Sequence, residues 1–138
     1  MTINFTGVET KGDVSTQSVV IDTDLSDKEY YFVNFDGTDQ GVVNIASAAT
    51  SQPFILLEGA DGSSTETVGT IVTGGKTKLK TGGNITQGAF LTSDANGAAV
   101  ATTTDDQFYG AIALENGASG DIIAVKAIQG TLSGSADN

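Results

Sequence analysis

The chain has no cysteine, no histidine and no tryptophan, and all six of its basic residues are lysine. Without cysteine there is no disulfide framework and no thiol chemistry. Without histidine or cysteine, nucleophilic triads lose their base or thiolate, and zinc sites lose their usual ligands. Positive charge is scarce: 17 Asp and Glu stand against six Lys, for a net charge of −11. Neutralising phosphates requires a basic face, so nucleic acid is excluded as a partner, and anionic membranes repel the chain for the same reason. Long hydrophobic runs are also missing. None reaches the roughly 18 residues that span a bilayer as a helix. The opening MTINFTGVETKGD has neither the basic n-region nor the apolar h-region of a secretory signal.

At 138 residues the chain is one domain by length. A chain of this size buries roughly two-thirds of its unfolded surface. Only 38% of it is hydrophobic, and much of that is alanine. The core is therefore expected to be thin, built from Val, Ile, Leu, Phe and Tyr, with association supplying further burial. Short apolar runs alternate with Gly-rich punctuation, and no window carries a helical period. Strands are expected over 18–21, 30–35, 41–46, 54–57, 67–72, 76–79, 108–114 and 121–128, with a hairpin over 88–101. In that hairpin, Asn96-Gly97 follows Phe90 and Leu91, and both residues suit the positive φ of a tight turn. Gly74-Gly75 reads as a turn between two strands. The class is all-β, a compact β-barrel or β-sandwich.

The chain also repeats itself. YYFVNFDGTDQGVVNIA resembles GAFLTSDANGAAVA, matching Phe32 with Phe90 and Asp36 with Asp94. QPFILLEG resembles QFYGAIALENG, matching Leu57-Glu58 with Leu114-Glu115. ETVGTIVTGG resembles DIIAVKAIQG, matching Glu66 with Asp121 and Gly75 with Gly130. Two similar β-units are expected, about 28–75 and 88–130, within a single β-domain over 21–130. Residues 1–20, with Ile3, Phe5 and Val8 as their early apolar anchors, read as an extended N-terminal arm, and 131–138 as a flexible tail.

Little in the chain carries chemistry. GGKTKLKTGG lacks the G-x-x-x-x-G-K-[ST] order of a phosphate loop. DTDLSDKE, with Asp22, Asp24, Asp27 and Glu29, looks like a calcium loop but holds Asp27 where Gly is required and Val33 where Glu is required. It reads as a solvated turn. A catalytic Asp/Glu pair would have no tryptophan to line a sugar cleft. No catalytic residue, metal or cofactor is expected. Lys76, Lys78 and Lys80 fall on one face of a strand by alternation, with Thr77 and Leu79 on the other. They read either as an edge strand guarded by lysine or as a basic stripe facing an acidic surface on a neighbouring subunit or partner.

The motifs G-G-N-I-T-Q-G (82–88), T-S-D-A-N-G (92–97), G-A-I-A-L-E (110–115) and G-D-I-I-A-V (120–125), behind the Lys-rich strand, resemble the decoration or cement proteins of tailed-phage capsids. The resemblance covers about 74–130 directly and 28–73 through the repeat. It implies a compact β-barrel or β-sandwich that sits as a homotrimer on the outer capsid surface of the virion. There it would bridge neighbouring subunits of the major capsid protein after synthesis in the host cytoplasm. The alternative is a β-rich virion or cell-surface adhesin module that binds a host receptor or glycan, and a β-barrel enzyme ranks behind both. Under the cement reading, Ile3, Phe5 and Val8 of the arm and the Lys76, Lys78 and Lys80 stripe are the candidate partner-binding residues. The arm would add as a strand to an exposed sheet edge.

Overall fold

The runs FVNF, FILLE and GTIV place two large apolar residues side by side. In a strand, neighbours point to opposite faces, so such a run must bury both faces. The computed structural model, which describes residues 14–47, 51–65 and 67–132, shows how this is satisfied. Nine strands form: β1 (Ser15–Ile21), β2 (Phe32–Phe35), β3 (Val42–Ile45), β4 (Phe54–Glu58), β5 (Val68–Lys80), β6 (Phe90–Ser93), β7 (Ala99–Ala101), β8 (Phe108–Ala113) and β9 (Ile122–Thr131). The fold is all-β, with no helix among the described residues.

The first five strands close into a barrel. β3 pairs with β2, β2 with β4 and β4 with β5, all antiparallel. β1 closes the ring, antiparallel to β5 and parallel to β3 through Val20↔Val42 and Ile21↔Val43. The remaining strands use the same order. β7 pairs with β6, β6 with β8 and β8 with β9. The second half of β5 takes the place that β1 holds in the first set: it is antiparallel to β9, and Thr81 makes a parallel bridge to Ala99 on β7. One strand therefore serves both sets.

The register equates the two sets residue by residue. Phe32 faces Ile55 as Phe90 faces Ile112, and Ile21 meets Val43 as Thr81 meets Ala99. The last sequence match is out by one position. Ile21 N–H donates to Thr67 O and Thr81 N–H to Asp121 O, so Asp121 corresponds to Thr67 rather than to Glu66, which lies outside the described residues. Both segments tolerate a one-residue slide because their small and β-branched residues are alike.

The expected turn at Gly74-Gly75 is not a turn. β5 runs through it without interruption. The pairing with β1 shifts there, from Thr16↔Val72 to Ser15↔Gly74, and Gly75 has φ +96°. This is a bulge: an extra residue on β5 bends the strand from the barrel into the second set of strands, and glycine accepts the left-handed conformation that the bend uses. The first half of β5 is thus paired on both sides, with β1 and β4, whereas its lysine-bearing second half pairs with β9. Other boundaries move outward. β1 starts at Ser15, inside the span read as an arm, and β9 runs to Thr131, into the span read as a tail. Residues 1–13 and 133–138 lie outside the described residues.

Two cores result. Val19, Ile21, Leu25, Val33, Val43, Leu56, Ala60 and Ile71 fill the first barrel. Leu79, Ile85, Leu91, Ala99, Ile123 and Val125 lie in the second cluster, together with Phe32, Ala46, Ile55 and Val72 from the first barrel's strands. Phe32 and Val33 are both fully buried, on opposite faces, as are Ile55 and Leu56, and Ile71 and Val72. The paired apolar residues thus line the barrel on one side and enter the second cluster on the other.

The hairpin between β6 and β7 helps to join them. Its turn is held by Asp94, whose Oδ1 accepts from Asn96 N–H (2.8 Å) and Ala98 N–H (3.0 Å). Gly97 alone has positive φ (+85°), and Asn96 does not share it. The loop is therefore the three-residue kind, with glycine at the left-handed position, rather than a two-residue turn. Its tip docks on the first barrel: Phe32 N–H donates to Gly97 O at 2.8 Å.

Candidate functional site

Lys76, Lys78 and Lys80 occupy the second half of β5, and alternation turns Leu79 into the core, where it is fully buried. β9 brings a fourth lysine: Lys76 lies directly opposite Lys126, Lys78 opposite Ala124 and Lys80 opposite Ile122. Residues opposite one another in an antiparallel ladder share a face. Four of the six lysines of the chain therefore gather on the outer face of two adjacent strands. Among the described residues none of the four forms an ion pair with a carboxylate. Like charges set directly opposite weaken a sheet by up to about 1 kcal/mol, so the Lys76–Lys126 pair does not serve the fold.

The face is not purely polar. Ile122 is 50% exposed beside Lys80. Ile112 lies opposite Lys126. Leu114, also exposed, donates its N–H to Ala124 O and sits in the next row. Apolar side chains framed by unpaired lysines form a surface suited to an acidic partner with an apolar centre. Sequence reasoning found the β5 lysines by alternation but missed Lys126, Ile122 and Leu114. Their membership depends on the register of β9 against β5, which is a long-range property.

Charge is divided unevenly along the molecule. Residues 14–65 carry eight carboxylates against Lys28 alone, whereas residues 67–132 carry five against the four lysines. Several carboxylates of the first barrel are tied into turns. Asp24 accepts from Ser26 Oγ (2.7 Å) and N–H (3.1 Å). Asp36 accepts from Thr38 N–H (2.8 Å) and Oγ1 (2.7 Å). These hydrogen bonds, led by the Ser26 hydroxyl and by the Thr38 amide respectively, hold both carboxyls below the ordinary aspartate range. Asp24 belongs to the stretch read as a solvated turn. Among the described residues no group of three or more Asp, Glu, His or Cys is gathered as a metal site would require. Ile3, Phe5 and Val8 lie outside the described residues.

No family model and no curated protein matches the chain. Among solved structures it is similar to the head fiber gp8.5 N base in bacteriophage phi29, with a TM-score of 0.62 and 14% sequence identity over 88% of this chain and 99% of that one. At that identity the likeness shows a shared fold.

Proposed function

We propose that this chain is a structural protein of a phage virion that binds the outside of the capsid and cements neighbouring major capsid subunits, acting as a homotrimer without enzymatic activity. The observation that supports this is the fold likeness to part of a phage head fiber, which spans nearly the whole of both chains. The sequence motifs that resemble capsid decoration proteins fall on strands and turns here. T-S-D-A-N-G is the β6–β7 hairpin that docks on the barrel, and G-A-I-A-L-E is the end of β8 with the turn after it. Such motifs supply rigidity and shape rather than chemistry, as a cementing role requires.

In this reading the N-terminal arm, with Ile3, Phe5 and Val8, reaches the capsid protein, and the lysine face meets an acidic surface. Because β1 begins at Ser15, the arm can be removed without cutting the barrel. The test is to mix purified protein with capsids stripped of their accessory proteins and to image them. Density on the outer surface, bridging neighbouring subunits, is the expected result, together with slower capsid rupture on heating. Absence of binding, or binding to host cells in place of capsids, would overturn the proposal and favour the adhesin.

A further inference from the structure

The lysine face has an electrically opposite counterpart on the same chain. Because the second half of β5 takes in the second set of strands the place that β1 takes in the barrel, the pair Lys80↔Ile122 corresponds to Val20↔Val68. These two valines are 42% and 68% exposed, an unusual degree for a cross-strand apolar pair. On the same face, one pair along, Thr70 lies opposite Glu58 and donates its hydroxyl to Glu58 Oε1 at 3.3 Å. Asp22, also exposed, follows two positions after Val20. Here an apolar pair has the Glu58 carboxylate on its face and the exposed Asp22 just beyond the end of β1, where the second set of strands frames an apolar centre with lysines.

We infer that these two faces bind each other between copies of the chain, head to tail: the Lys76, Lys78, Lys80 and Lys126 face of one copy against the Val20, Val68 and Glu58 face of the next. The inference deepens the trimer of the proposed function and rests on that reading for its ring. A contact between two different faces leaves one of each free after every addition, so it ends only when a ring closes, and three copies are the smallest cyclic assembly beyond a pair. The net charge of −11 does not oppose it at physiological salt. Whole-molecule repulsion is screened beyond a Debye length of about 8 Å, while charges in contact about 4 Å apart still attract. Joining the faces covers Ile122, Val20 and Val68, gives the Lys76–Lys126 pair its missing counter-charge, and uses the surplus carboxylates of the first barrel.

The test is sedimentation velocity on the full chain at about 100 µM, in roughly 0.15 M and then 1 M NaCl, where the Debye length falls to about 3 Å. Wild-type protein should form a closed trimer at the lower salt, and its association constant should drop at least about tenfold at the higher. Lys78→Glu/Lys126→Glu should be monomeric. So should Glu58→Lys/Asp22→Lys. An equal mixture of the two variants, each with one intact face, should associate again. All these positions are exposed, and a circular dichroism melt checks that each variant is folded. A trimer that persists in either variant would overturn the assignment of these faces and leave the trimer itself standing. A wild-type monomer at both salts would overturn both. Capsid decoration, imaged separately, does not enter this readout.

Discussion

At the scale of single residues, one demand falls on the hairpin tip that docks on the first barrel. A Cβ on Gly97 would lie 3.0 Å from Phe32 O and 3.1 Å from Ile45 Cγ2, at a φ of +85° that side chains avoid. Gly97→Val should therefore lower stability by roughly 2–4 kcal/mol, combining left-handed backbone strain with overpacking, measured by urea denaturation. A loss below about 0.5 kcal/mol, the scatter of ordinary surface changes, would mean that the tip does not dock as described. Asp24 and Asp36 give a pH prediction. Hydrogen bonds depress both carboxyls in the folded state. Their stabilisation is present above the unfolded value, near pH 4, and is lost as pH falls through the lower folded value. Asp24→Asn/Asp36→Asn should lose less of its urea midpoint than wild type between about pH 5 and pH 3. Parallel acid limbs in the two proteins would count against the effect. The turn at Asn96-Gly97 was legible in the sequence from composition, but its conformation was not. The side chain of Asp94 captures two amides, and that selects a three-residue loop with Asn96 at ordinary φ. Position 30 was less legible still. Tyr30 and Gly88 make equivalent hydrogen bonds to Leu56 O and Ala113 O, and both have positive φ, yet nothing in YYFV announces a left-handed tyrosine.

At the scale of elements, the decisive strands are those buried on both faces. Phe32 links the cores, and the space beside its ring is kept open by Gly110, where a Cβ would fall 2.8 Å from the Phe32 Cε1 atom. Phe32→Ala should cost about 3–5 kcal/mol, as for other large core truncations. Because Phe32 belongs to the second cluster while Val33 belongs to the first, the whole molecule should melt earlier in one transition. Calorimetry showing two separated transitions would contradict this coupling. Most strands could be read from alternation and Gly-rich breaks. The error at Gly74-Gly75 has a physical origin: the same dipeptide serves a reversing turn or a bulge, and only the partner strand decides. Here β1 on one half and β9 on the other keep the chain extended. The β5 lysines were legible because alternation is local, whereas Lys126 belongs to the same face only through the β5–β9 register.

At the scale of the whole molecule, the core is divided into two clusters, one inside the barrel and one shared between the barrel's strands and the second set. Under the proposed function, deleting residues 2–13 should leave the melting transition within a few degrees of the full chain, since β1 is intact, while weakening capsid binding strongly, as loss of a strand-adding contact would. Unchanged decoration by the truncated protein would remove the arm from the proposal. The repeated motifs fall at equivalent places in the pairing of the two sets of strands, but the sharing of β5 could not be read from them, because they say nothing of how one set ends inside the other. That sharing has a mechanical consequence. The barrel and the second set of strands are joined without a linker, through a backbone that is hydrogen-bonded before and after its bend. There is no slack to take up, so a tug on the barrel loads the second set at once, along a covalent spine braced by sheet. In the proposed cementing role, such a splice would transmit tension as a strut does, where a flexible tether would let the joint yield before it bore any load.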